Sequence, residues 1–169
     1  MKLTNHELEI KCKLLEEITD SKDENKKLYD KCDPLEQHSR QHLLRFSGMI
    51  FPLGENTSCK VVDIVKQIEV EIKVADIEVS HCTGQSTPDR PRHIIARIRN
   101  YDLKSKILKS AKNLRTTDGL KNISISQDLT KSRDELAFMA RQYVRKKMLK
   151  STWVIDGKVY VTTNMSSVE

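Results

Sequence analysis

The stretch Arg92-His-Ile-Ile-Ala-Arg-Ile-Arg99 decides how the rest of the chain is read. Its residues alternate as an extended strand requires, with Ile94, Ala96 and Ile98 on one side and His93, Ile95, Arg97 and Arg99 on the other. An apolar side and a basic side in one strand imply a sheet with one face buried and one face open to solvent.

Working outward, the flanking segments supply the remainder of such a sheet. Upstream, His42-Leu-Leu-Arg-Phe-Ser-Gly-Met-Ile50 reads as a strand that ends in the loop Pro52-Leu-Gly-Glu-Asn-Thr-Ser58. Ser58 is expected to cap a helix from about Cys59 to Val70, where Val61, Val65, Ile68 and Ile72 fall at helical spacing. Asp76-Ile-Glu-Val-Ser-His81 alternates as a strand, and the polar loop Gly84-Gln-Ser-Thr-Pro-Asp-Arg-Pro91 follows it. Downstream, Asp102 to Leu114 reads as a helix, amphipathic through Leu103, Ile107, Leu108 and Ala111. Asp118-Gly119 then turns the chain into a strand over Ile123-Ser-Ile-Ser126. The order strand, helix, strand, strand, helix, strand predicts an α+β fold of the ferredoxin-like βαββαβ kind, its two helices on one face of four antiparallel strands.

Two segments flank this middle block, dividing the chain into 1–41, 42–130 and 131–169. The first reads as helix, with no Gly and its only Pro at position 34. A heptad seam places Ile18, Asn25 and Cys32 at a and Leu14, Leu28 and Leu35 at d, which predicts a short coiled coil and a homo-oligomer, dimer or trimer, through residues 8–35. Lys11, Glu7 and Ser21 occupy seam slots poorly, and Asp33-Pro34 is expected to interrupt the helix. In the tail, Ser132-Arg-Asp-Glu135 has capping-box spacing and begins a helix to about Leu149, with Leu136, Ala140, Tyr143 and Val144 as its apolar stripe. Arg133, Arg141 and Arg145 fall on one i, i+4 line. Thr152-Trp-Val-Ile155 and Lys158-Val-Tyr-Val161 flank Asp156-Gly157, a strong hairpin signal.

Charge follows the same division. Residues 1–41 hold 8 Lys and Arg against 10 Asp and Glu, residues 42–130 hold 14 against 10, and residues 131–169 hold 8 against 4. Between Arg90 and Arg115 there are nine bases, Lys104 among them, and one acid, Asp102. Such density in 26 residues is an electrostatic footprint for a polyanion. A solvated helix face explains Lys104 to Lys112, but not Arg97 and Arg99 in a strand.

Other chemistries find little support. Four cysteines (Cys12, Cys32, Cys59, Cys82) lie 20 or more positions apart, and the five His form no complementary pair, so neither a zinc site nor another metal or cofactor is expected. There is no Gly-rich phosphate loop and no nucleophile motif, and His81-Cys82 would point to opposite faces of a strand, so the chain is not expected to be an enzyme. No apolar run approaches a membrane span and the N-terminus lacks a signal-peptide core, so no membrane contact and a cytoplasmic location are expected.

At Arg90-Pro-Arg-His-Ile-Ile-Ala-Arg-Ile-Arg99 the sequence resembles the third-strand motif of the RNA-binding protein encoded by the first open reading frame of LINE-type retrotransposons. Leu35-Glu-Gln-His-Ser-Arg40 leading into Leu44-Arg-Phe-Ser-Gly48 is similar to the end of that family's coiled coil and its first strand. Lys106-Ile-Leu-Lys-Ser-Ala-Lys112 resembles its second helix, and Ser126-Gln-Asp-Leu-Thr130 the junction with its C-terminal domain. The tail Trp153-Val-Ile-Asp-Gly-Lys-Val-Tyr160 looks closer to the C-terminal region of baculovirus few-polyhedra proteins and their insect relatives. The likeness runs from about Leu28 onward.

The resemblance implies an oligomerising coil, an RNA-recognition-like domain and a basic C-terminal domain that bind RNA or single-stranded DNA together, with nucleic-acid chaperone behaviour in a retrotransposon ribonucleoprotein, cytoplasmic and also nuclear. Carried over by position, the supporting residues are Arg40, Arg45, Arg90, Arg92, Arg97 and Arg99, with Arg133, Arg141 and Arg145 in the tail helix. The coil is short for the family, and because the chain stops soon after the hairpin an incomplete C-terminal domain is expected. RNA-recognition sheets stack bases on strand aromatics. The third strand has none, so the expected mode is backbone-led gripping by Arg and Lys with little sequence preference. A competing expectation is an adaptor, few-polyhedra-like, that works through its coil while the basic face is incidental.

Overall fold

Ile94, Ala96 and Ile98 lie in the hydrophobic core, as the alternation around them requires. They belong to β3 (His93–Ile98) in a computed structural model that describes residues 5–49, 56–84, 92–117 and 119–163. The chain divides into two compact units, Met1–His38 and Ser39–Glu169.

The first unit is a single long helix, α1 (Asn5–Ser39). Its apolar residues, including Leu14, Ile18, Leu28 and Leu35, are exposed, as are Asn25 and Cys32. The expected break at Asp33-Pro34 does not occur, because the helix continues through Pro34. Proline deletes one backbone donor and crowds the preceding turn, and here the hydrogen-bonded turns on either side carry the helix across that defect.

In the second unit, β1 (Leu43–Ser47) is followed by α2 (Thr57–Gln67), β2 (Ile77–Thr83), β3, α3 (Tyr101–Ser110) and β4 (Ser124–Gln127). All pairings are antiparallel, and the strand order is β2-β3-β1-β4. The core holds Leu44 and Phe46 of β1, the buried side of β3, Ile125 of β4, Val61, Val62, Ile64 and Val65 of α2, and Ile107 of α3. Both helices therefore cover one face of the sheet. The fold is α+β, with a long N-terminal helix and an antiparallel sheet.

Local chemistry sets the boundaries, and in several places differs from the expected one. Asn56, not Ser58, caps α2, its side chain accepting from the Ser58 and Cys59 backbone N–H groups at 2.9 and 3.3 Å. The Ser58 hydroxyl instead meets the Ser80 hydroxyl of β2 at 2.7 Å. Asn100 caps α3 by accepting from the Leu103 N–H at 3.1 Å, and a 3-10 turn, Ala111–Arg115, extends that helix. α2 and α4 (Lys131–Arg145) both stop earlier than expected through the same closure. Val70 N–H donates to Val65 and Met148 N–H to Tyr143, with Glu69 and Lys147 at positive φ. This is a Schellman ending without its usual glycine.

The tail falls within the compact unit Ser39–Glu169. α4 begins from Thr130 rather than Ser132 and packs against β5 (Leu149–Ile155), which pairs with β6 (Lys158–Thr163). Its apolar face is rotated from the expected stripe: Ala137 and Ala140 are buried and Val144 is half-buried, whereas Leu136, Met139 and Tyr143 are exposed. Ala137 and Ala140 are thus the buried side chains of a helix that packs against the hairpin. Asp156 and Gly157 both have positive φ, as the two-residue turn of a tight hairpin requires.

Candidate nucleic-acid interface

With α2 and α3 on one face, the other face of the sheet is built from the alternate residues of each strand. Leu43, Arg45 and Ser47 come from β1, His93, Ile95 and Arg97 from β3, Val79, His81 and Thr83 from β2, and Ser124 and Ser126 from β4. His93, His81, Ser124 and Ser126 are exposed, Arg45 and Arg97 are half-buried, and Ile95, expected on the solvent side, is buried. Register places Arg45 opposite Ile95 and Leu43 opposite Arg97, so the two arginines are diagonal neighbours on the central strands.

Arg45 is held by an acid that the sequence reading passed over. Asp128, at the end of β4 and 3% exposed, accepts Arg45 Nε and Nη2 on Oδ1 at 3.0 and 2.7 Å. Its Oδ2 accepts Arg40 Nη1 at 2.6 Å. Arg45 Nη1 also lies 3.6 Å from Asp134 Oδ2, in the first turn of α4. A buried carboxylate needs such partners, and both arginines keep about 30% of their side-chain surface exposed. The arginines are therefore oriented, and part of their charge is already matched. The signal was an acid at the strand-to-helix junction Ser126–Thr130, where a buried β-strand end had no reason to carry one.

The remaining expected contacts divide. Arg97 reaches the Ser39 carbonyl at 3.3 Å, and Arg99, just beyond β3, reaches the Ala75 carbonyl at 3.0 Å. Neither side chain faces an acid there. Arg92 is half-buried, and Arg90 falls outside the described residues. Lys104 is a correction. It is 2% exposed, donates to the Gln41 carbonyl and lies 5.3 Å from the Tyr101 ring centroid, because its position on α3 turns inward to the core-facing side with Ile107. Burial lowers its ammonium pKa from the ordinary lysine value, opposed in part by Asp156.

The line Arg133, Arg141 and Arg145 also splits. Arg133 is half-buried and donates to the Gly157 carbonyl at 3.0 Å, holding the hairpin turn, while Arg141 and Arg145 are exposed. The same turn receives Gln127, whose side-chain oxygen accepts the Gly157 N–H at 2.8 Å, and Tyr101, whose hydroxyl donates to Asp156. That bond, followed by burial, raises the Tyr101 pKa.

The sheet offers the imidazoles of His81 and His93 but no Phe, Tyr or Trp to a base: Phe46 is fully buried and Tyr101 lies on α3. The exposed aromatic pair sits elsewhere, on the hairpin. Trp153 and Tyr160 face each other across β5 and β6 with ring centroids 5.9 Å apart and 10° between planes. Counting outward from the Asp156-Gly157 turn would have paired them from sequence.

Among the described residues no group of three or more His, Cys, Asp and Glu could hold a metal ion, and no helix is long and apolar enough to cross a membrane. No protein-family model matches the chain, and no curated protein is significantly similar to it.

Proposed function

We propose that the chain is a non-enzymatic binding protein for single-stranded nucleic acid, preferring RNA, whose residues 42–130 form a ferredoxin-like, RNA-recognition-like domain. The observation that carries this reading is the sheet face opposite the two helices, where Arg45 and Arg97 stand diagonal on the central strands with Ile95 buried beside them. Strand order β2-β3-β1-β4 with antiparallel pairing is the order that split βαβ units adopt, which supports the finer assignment.

Binding is led by the phosphate backbone. Among the described residues Arg97 and Arg99 meet carbonyls, so their charge is not neutralised by those contacts. A guanidinium fork pairs with phosphate bidentately and stacks on bases, whatever their identity. Arg40 and Arg45 contribute through the guanidinium surface that stays exposed beside Asp128, and Arg92, Arg141 and Arg145 widen the basic surface. Backbone gripping with weak sequence preference suits a chaperone that loosens and re-pairs strands, within a retrotransposon ribonucleoprotein in the cytoplasm or nucleus.

The exposed seam of α1 supports oligomerisation through Leu14, Ile18, Asn25, Leu28, Cys32 and Leu35 as a coiled coil, dimer or trimer. It equally supports the second reading, an adaptor in which that seam takes a protein partner. Fluorescence anisotropy of a labelled single-stranded RNA, titrated with the full chain at two salt concentrations, separates them. Binding that weakens at high salt supports the first; absence of binding at low salt leaves the adaptor. Light scattering reads the oligomer in the same samples.

A further inference from the structure

We infer that the β5–β6 hairpin carries a base-stacking site, made by Trp153 and Tyr160, that works beside the basic sheet face. It rests on the reading of the chain as a single-stranded nucleic-acid binder and names where the bases, as distinct from the phosphates, are held. The two rings are cross-strand partners, stacked on each other, and remain 42% and 41% exposed. A pair whose role was to close a core would lose most of that surface. Ile155, also exposed, stands opposite Lys158 two positions nearer the turn and on the same face, so an apolar shoulder and a lysine flank the rings.

The occupant follows from charge and ring chemistry together. Residues 131–163 carry eight Lys and Arg against three Asp and Glu, which favours a polyanion over a neutral apolar partner. Parallel aromatic rings accept a planar base on an outer face irrespective of its hydrogen-bonding edge, and stacking of this kind is sequence-tolerant. The hairpin is also fixed for the purpose. Gln127 holds the Gly157 N–H, Arg133 the Gly157 carbonyl and Tyr101 the Asp156 carboxylate, so the rings are presented from a turn anchored to β4, α4 and α3. A strand gripped by phosphate contacts on the sheet would thus have a rigid place to lay a base.

Trp153 is the only tryptophan of the chain, so its emission reports on this site alone. The full chain is titrated with oligouridine, with an abasic ribose-phosphate oligomer as control, while anisotropy of a labelled copy follows total binding. Stacking predicts that emission is quenched along the same isotherm as binding, that the abasic oligomer binds without quenching, and that Trp153→Ala with Tyr160→Ala weakens oligouridine binding by about 10-fold or more with little change in salt slope. Binding with unchanged Trp153 emission, together with equal affinity for the abasic oligomer, overturns the stacking site and leaves the phosphate-gripping face standing. No binding at low salt by anisotropy overturns both. Because the quenching is read on the wild-type chain, a double variant that fails to fold does not remove the test.

Discussion

Asp128, almost wholly buried, receives two N–H donors of Arg45 on one carboxylate oxygen while Arg40 occupies the other. The junction between β4 and α4 is thereby tied to the central strand on which Arg45 stands. One acid orients two bases and also reduces what they can offer a phosphate.

Asp128→Asn therefore separates the two effects. Losing the charge should destabilise the fold by about 1–2 kcal/mol, less than for a fully buried pair because both guanidiniums keep solvent contact. It should also strengthen binding to single-stranded RNA and steepen the log–log salt slope, by up to about 1.4 if both arginines gain a phosphate. Urea unfolding and salt titration read the two quantities. A stable variant with an unchanged slope would show that Asp128 does not govern the arginines' availability.

Arg97→Ala with Arg99→Ala removes the two guanidiniums whose contacts are carbonyls rather than acids. Affinity should fall for every single-stranded sequence tried, with the salt slope shallower by about 1.4 and the unfolding midpoint nearly unchanged. If the double variant binds as the wild type does, the phosphate contacts lie elsewhere, and Arg141 and Arg145 on α4 become the next pair to test.

Lys104 and Tyr101 give stability two opposed pH dependences. The Lys104 pKa is lowered in the folded chain, so the unfolded chain holds more protons as pH approaches the ordinary value of 10.5, and this group makes stability rise with pH there. The Tyr101 pKa is raised above 10.0, so the folded chain keeps that proton longer and stability falls with pH above 10. Thermal unfolding between neutral and strongly alkaline pH should show Lys104→Met without the rise and Tyr101→Phe without the fall. Identical pH profiles for all three proteins would refute both assignments.

Gly48 and Gly84 share a φ of +86° but not a setting. A Cβ at Gly48 would lie 1.9 Å from the Asn122 carbonyl oxygen, whereas at Gly84 nothing lies within 4 Å. Gly84→Ala should cost about 1 kcal/mol of backbone strain, and Gly48→Ala at least about 3 kcal/mol, because backbone must also move. Equal losses in chemical denaturation would contradict the close approach of β1 to the segment before β4.

Much of this architecture could be read from residue patterns because the decisive segments are short and strongly patterned. Period-two alternation in Arg92–Arg99 identified Ile94, Ala96 and Ile98 as core-facing but not the burial of Ile95, and Asp156-Gly157 identified the hairpin. What escaped depended on contacts between distant segments. The buried side of α4 is marked by Ala137 and Ala140, and alanine carries little weight in an apolar stripe. The burial of Lys104 requires knowing that its Nζ meets the Gln41 carbonyl, 63 positions away. The pairing of Asp128 is not written in its neighbourhood, because its partners lie more than 80 positions upstream. The helix endings at Glu69 and Lys147 lacked the glycine that usually announces them.

The most direct measurement is amide chemical-shift mapping of the full chain on addition of a short single-stranded RNA at low salt. Gripping by the open sheet face predicts perturbations concentrated on Arg45, Ile95 and Arg97 of the central strands and on neighbouring Ser126, with the core-facing turns of α2 unmoved. Perturbations confined to α1, or none at saturating RNA, would contradict it.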